Sequence, residues 1–190
     1  MRWPLMTLLL LGCEPARYLP IVPPPPCAAT VEAVAVGEAF HVPQDTTVTY
    51  ATNPPCGGNH WGQWLPWGVF DRAVRAENYV HNLEHGGVVL LYSCADGCPE
   101  LRDALIAWAQ AQPADDGGAF RYIVTPWAGM STPIAAVAWG AVYRSDAVRP
   151  CELDDFRKKH YRKAPEDVGA SGNAMAVMET SRPDASSARD

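Results

Sequence analysis

The stretch VHNLEHGGVVLLY, residues 80 to 92, places His81, Glu84 and His85 within five positions and then enters an apolar run. Only five histidines occur in 190 residues, so a pair one helical turn apart is the chemically informative pattern of the chain. If residues 78 to 85 are helical, His81 and His85 share a face and Glu84 adjoins it. Two imidazoles at that spacing can reach one metal ion, with the carboxylate as third ligand, orienting partner or base. A third imidazole, His60, stands in a glycine-rich loop able to fold back over the helix. Three imidazoles suit zinc or copper, and Met130 adds a soft sulfur that copper accepts. The expected metal set is therefore His60, His81 and His85, with Glu84 and Met130 as further ligands of one zinc or copper ion. His41 and His160 have no comparable surroundings in sequence and read as ordinary surface or half-buried residues.

Two other readings fit the same residues. The spelling H-x-x-E-H matches the inverted zincin motif, in which both histidines hold zinc and the glutamate activates water. That chemistry also needs a distant carboxylate, for which Glu152, Asp154 and Asp155 are candidates, and a cleft that a chain this short has little material to build. In a metal-free reading, His81 and His85 hydrogen-bond loop backbone while Glu84 pairs with Arg72 or Arg75, locking a proline-rich loop.

The elements that must position these groups follow from periodicity and punctuation. VEAVAVGEAFHV and TTVTYAT read as short strands, and NPPCGGNHWGQWLPWGVF as loop, because Pro54-Pro55 and Gly57-Gly58 forbid regular structure. Residues 76 to 85 form a short helix closed by Gly86-Gly87. VVLLY is an apolar run of strand length. CPELRDALIAWAQAQ is a helix with Pro99 at its first position and Leu101, Ala104, Leu105 and Trp108 on one stripe. FRYIVTPW and IAAVAWGAVY are two further strands, and CELDDFRKKHYRK is a helix with acids first and bases last, as its dipole favours. The expected fold is a single α+β domain with a mixed sheet and two main helices, ordered strand, helix, strand, strand, helix after residue 87. Long Pro, Gly and Trp loops precede that core. Trp61, Trp64 and Trp67 in these loops either pin the loop to the core or offer rings to a ligand.

The first residues, MRWPLMTLLLLGC, carry one arginine and an apolar run shorter than the roughly 20 residues a spanning helix needs. Leu10, Leu11 and Gly12 before Cys13 resemble the lipobox of bacterial lipoproteins. The resemblance implies removal of residues 1–12 and acylation of Cys13, and so an exported domain whose partner is a membrane. Residues 13–29, with four consecutive prolines, read as a stiff spacer; residues 30–165 as the domain; residues 166–190 as a flexible tail. An exported chain permits disulfides. Cys94 and Cys98 bracket a short turn and form either a structural disulfide or a redox pair, since SCADGCPEL resembles the strand, cysteine pair and helix of thioredoxin-like and copper-delivery proteins. The spacing is one residue longer than in the usual redox pair. Cys27 with Cys56 would clamp the spacer to the domain and leave Cys151 unpaired, although other pairings are equally allowed.

Fifteen basic against 21 acidic residues give a net charge of -6, which offers no footprint for nucleic acid. No glycine-rich phosphate loop opens a helix, and no nucleophile-elbow spelling occurs. Three blocks in order, NPPCGGNHWGQWLPWGVF, VHNLEHGGVVLLYSCADGCPEL and VTPWAGMSTPIAAVAWGAV, resemble the DUF3105 family, a bacterial family of unknown function often found behind a signal peptide or membrane anchor. The resemblance covers roughly residues 47 to 161. It implies that the family's histidine-bearing blocks fall on His60, His81, Glu84 and His85, and its AWG segment on Ala138, Trp139 and Gly140. Cys56 departs from the hydroxyl residue usual in the family, and Trp127-Ala128 from an aromatic-proline pair. The classes that remain are a lipid-anchored metal-binding domain, a metal-free structural or interaction module of the cell envelope, and an enzyme using either zinc or the cysteine pair.

Overall fold

The computed structural model describes residues 27–94 and 98–167. In chain order the elements are β1 (Val31–Ala33), β2 (His41–Val42), β3 (His60–Trp61), β4 (Gly68–Val69), α1 (Ala76–Glu84), β5 (Val88–Tyr92), α2 (Pro99–Gln110), β6 (Tyr122–Pro126), β7 (Ile134–Ala138), β8 (Ala141–Ser145) and α3 (Pro150–His160). Six strands form one mixed sheet in the order β1-β8-β7-β5-β6-β4, and β2 pairs with β3 apart from it. β5 runs parallel to β6 and antiparallel to β7, so it lies inside the sheet.

That position explains why VVLLY has no polar face. Val88, Leu90 and Tyr92 point into one apolar cluster with Leu105 and Trp108 of α2 and Leu153 and Phe156 of α3. Val89 and Leu91 point into a second cluster with Tyr79, Val80 and Leu83 of α1 and with Cys56 and Leu65 from the loops. A strand covered on both faces loses its alternation. The Trp108 indole donates to Asp154 at 2.9 Å and joins α2 to α3 on the first face. The second face, carrying α1 and the tryptophan loops, is the one that concerns function.

The expected fold class holds, with a mixed sheet, α2 and α3 as main helices, and α1 as the short third. Three local expectations need correction. The stretch NPPCGGNHWGQWLPWGVF, expected as loop throughout, carries the two-residue strands β3 and β4, because Pro54-Pro55 and Gly57-Gly58 constrain only its first part. IAAVAWGAVY is a hairpin, β7 and β8, turning at Trp139-Gly140 with Ala138 opposite Ala141. Gly140 supplies φ +70, a conformation that side-chain-bearing residues rarely adopt. TTVTYAT forms no strand: its backbone is held by side chains, with Val48 donating to Glu77 and the Trp61 indole to the Thr46 carbonyl.

The cysteines pair as Cys27–Cys151 and Cys94–Cys98, leaving Cys56 free and buried. Of the pairings the sequence left open, the Cys27–Cys56 clamp does not form. Cys56 lies under the β7–β8 turn, where its carbonyl accepts from Gly140 N and its sulfur sits 3.6 Å from the Thr52 hydroxyl. Cys27 instead reaches the start of α3, where Ala29 N also donates to Asp155. The two disulfides indicate an oxidising, extracytoplasmic setting. Among the described residues no helix is long and apolar enough to cross a membrane. Residues 1–26, on which the expected leader and the acylation of Cys13 fall, lie outside the described residues, as do residues 168–190.

Candidate metal centre

α1 is short and almost wholly buried, yet five of its nine side chains are Glu, Asn or His. Those side chains satisfy loop backbone that has no ladder of its own. Asn82 accepts from Leu65 N and donates to Leu65 O, both at 2.8 Å. Asn78 donates to Gln63 O at 2.8 Å, and the Tyr79 hydroxyl to Pro55 O at 3.1 Å. The helix ends in a Schellman turn: Gly86 N bonds Leu83 O, Gly87 N bonds Asn82 O, and Gly86 takes φ +80. Gly87 has a different reason to be glycine, since a methyl group there would overlap the Trp67 ring.

This framework brings four ligand-bearing side chains together. His41, His60, His81 and Glu84 each offer one atom, and the four atoms lie within 4.8 Å of one another. His41 and His60 are register partners in the parallel β2–β3 pair, while His81 and Glu84 project from α1. The rings of His41 and His60 are 5.0 Å apart, His41 and His81 4.6 Å, and His60 and His81 4.9 Å. Glu84 Oε2 lies 2.9 Å from His60 Nε2 and 3.6 Å from His41 Nε2. A tetrahedral ion with ligands at 2.0–2.2 Å needs them about 3.4 Å apart, so a contraction of about 1.4 Å at the widest pair closes the group.

The His60 and His81 rings are held in the manner of metal-binding imidazoles. His60 Nδ1 meets the Gly58 carbonyl and His81 Nδ1 the Trp61 carbonyl, each at 2.8 Å. A carbonyl only accepts, so the His81 Nδ1 carries the proton and its Nε2 presents a lone pair. Burial pushes the His81 pKa down to about 3, which leaves that ring neutral and ready to coordinate. The tryptophans serve the centre rather than an exposed platform. Trp64 stands edge-on to His81 and His85, and Trp139 edge-on to His60 at 6.1 Å.

His85 is brought beside this group without joining the four. Its ring stacks on His81 at 4.7 Å, its Nδ1 donates to Glu166 O, and its buried Nε2 has no hydrogen-bond partner among the described residues. The two histidines of H-x-x-E-H therefore do not present their nitrogens to one point as the zincin spelling requires. Glu84 pairs with histidines rather than with Arg75, whose guanidinium approaches Glu77 at 3.9 Å and covers the Trp61 ring. Met130 packs, partly buried, against the cluster that contains Tyr79, Val80 and Leu83. His41, which local sequence gave no reason to select, takes the fourth place. Only its proximity to His60 across a two-residue ladder marks it, and the sequence carries no signal for that pairing.

Residues 162 to 167 close the back of the centre. Arg162 N donates to Gly86 O, Glu166 N to Glu84 O, and His85 Nδ1 to Glu166 O. Of the residues assigned from sequence to a flexible tail, Glu166 is thus bonded to the end of α1, and Asp167 accepts from Arg121 and Arg162. The segment is latched by Arg121, only 3% exposed, which donates to His85 O and pairs with Asp167 at 2.7 Å. Burial alone would raise the Asp167 carboxyl, but hydrogen bonds from Arg121 and Arg162 outweigh it and hold the pKa below the usual 3.8. A depressed carboxyl stabilises the fold above its unfolded pKa and ceases to do so as pH falls through the folded one. Unfolding titrations should therefore show wild-type stability falling below about pH 4 more steeply than in Asp167→Asn. Parallel acid limbs would refute the latch.

The fold and the centre together define the class: an α+β domain with a His3Glu group held between a buried helix and a loop strand. A family model described as a protein of unknown function, DUF3105, matches residues 41–173, and the chain belongs to that family. No curated protein and no solved structure matches the chain.

Proposed function

We propose that this domain binds one divalent transition-metal ion, zinc or copper, through His41, His60, His81 and Glu84. It does so outside the cytoplasm, tethered by an acylated Cys13. The observation that carries the metal is the proton count at His60. Its Nδ1 lies 2.8 Å from a carbonyl oxygen and its Nε2 2.9 Å from a carboxylate oxygen. Both oxygens offer only lone pairs, whereas a neutral imidazole has one N–H. Whichever nitrogen carries that proton, the other meets an oxygen lone pair to lone pair. A cation between Nε2 and Glu84 removes the conflict, and the nearby lone pairs of His41 and His81 complete its coordination.

Three nitrogens and one oxygen suit zinc and copper(II) better than copper(I), which prefers sulfur, or magnesium and calcium, which prefer oxygen. Metal analysis after loading and removal of excess ion should find one equivalent in the wild-type protein. If none is retained, a proton bridges His60 and Glu84 instead, and the domain is a metal-free module of the envelope. The tether rests on the lipobox spelling and on the oxidising setting that the disulfides require. Cys13→Ala should move the protein from the membrane to the soluble fraction; continued sedimentation with membranes would count against acylation.

A further inference from the structure

The four ligands are not held alike. His60 is fully buried, His81 is 2% exposed and Glu84 6% exposed, and all three sit on α1 or on the loop strand that α1 clamps. His60 and His81 are each tied through Nδ1 to a backbone carbonyl. The His41 side chain is 52% exposed, and its Nε2 lies 3.6 Å from Glu84 Oε2. Among the described residues its ring makes no hydrogen bond to any carbonyl. It rides on a strand of two residues that pairs only with β3 and lies outside the six-stranded sheet. Phe40 beside it is 59% exposed, so this corner of the centre faces solvent.

We propose that the His41 position is exchangeable: a small monodentate donor from solution, an anion or an imidazole-like nitrogen, takes the place of His41 while His60, His81 and Glu84 retain the ion. This rests on the metal-binding reading above. In the exchange one donor–metal bond forms and the His41 Nε2–metal bond breaks. No electron is transferred, and an anionic donor such as azide needs no proton. Turning His41 aside costs little, because rotation of an exposed side chain is fast and breaks no backbone hydrogen bond. The three remaining ligands match the protein share of reactive zinc sites, which keep one position for an outside molecule, whereas structural sites close all four. The asymmetry therefore assigns the centre to binding or transforming a ligand at the surface rather than to stapling the fold.

The probe is azide added to the full-length protein loaded with copper(II). Wild-type protein should develop an azide-to-copper charge-transfer band without releasing copper. His41→Ala should still hold copper, take azide with about tenfold higher affinity, and recover lost copper affinity when free imidazole is supplied. His41→Gln provides a second variant should the alanine protein fold poorly. A loaded wild-type protein whose spectrum ignores azide overturns the exchange and leaves metal binding intact. A His41→Ala protein identical to wild type in copper and azide affinity overturns it as well, because His41 would then not be a ligand. If wild-type protein retains no copper, the metal reading fails and the exchange fails with it.

Discussion

Replacing His81 with alanine will leave no bound zinc or copper at concentrations that saturate the wild-type protein. The loss should exceed the roughly 10–100-fold that removing a mere orienting partner costs a metal site. His81 is the hub of the centre, in ring contact with His41, His60 and His85 at 4.6 to 4.9 Å. Without it, the remaining donors are the pair on the β2–β3 ladder and one carboxylate. The variant will also be less stable, because the Trp61 carbonyl loses its donor at a cost of about 1–3 kcal/mol. Affinity must therefore be measured on protein shown to be folded, by near-ultraviolet circular dichroism of its tryptophans. His160→Ala is the matching control. That ring packs on Phe156 of α3, on the other face of the sheet, and its loss should leave metal binding unchanged. A folded His81→Ala protein that retains a full equivalent would end the assignment.

Opening the Cys27–Cys151 disulfide should have the largest effect on stability. The bond spans a sequence separation of 124 residues. Closing a loop of that size removes about 4–5 kcal/mol of chain entropy from the unfolded state, and native disulfides of small secreted domains cost 2–5 kcal/mol when removed. Paired Cys27→Ser, Cys151→Ser substitutions should lower stability by about that much in denaturant titration. The Cys94–Cys98 bond, with a separation of four residues, should matter less. Thiol counting offers an independent check. One free thiol after denaturation without reductant is expected, from Cys56, if Cys13 is acylated. An unchanged unfolding midpoint in the double variant would refute the proposed role of the bond.

Much of the fold was legible because its strongest elements announce themselves locally. VVLLY has the length and composition of a strand buried on both faces, and Gly86-Gly87 marks the end of α1 by chemistry that the Schellman turn demands. β7 and β8 were merged because the apolar run continues through Trp139, and one glycine does not reveal that the chain reverses. The cysteine pairing stayed open for a different reason: disulfides are made by tertiary proximity, and the approach of residue 27 to α3 has no local signature. Of the centre, His60, His81 and Glu84 were readable from motif and spacing. His85 satisfied the same spacing, but shared helix face is a weaker condition than convergence of lone pairs, and its Nδ1 is claimed by Glu166. His41 was invisible because it enters through non-local pairing of two residues.

The Cys27–Cys151 bond also decides how the domain bears tension. A pull transmitted through residue 27 passes across the sulfurs into α3 and bypasses everything between. The segment so shielded contains the whole centre and would otherwise pay out about 430 Å of extended chain, at roughly 3.5 Å per residue. A stretching measurement in the oxidised protein should never release that length, and in the reduced protein it should. Under such a pull the histidines would remain mechanically quiet, because the load passes from residue 27 straight to α3.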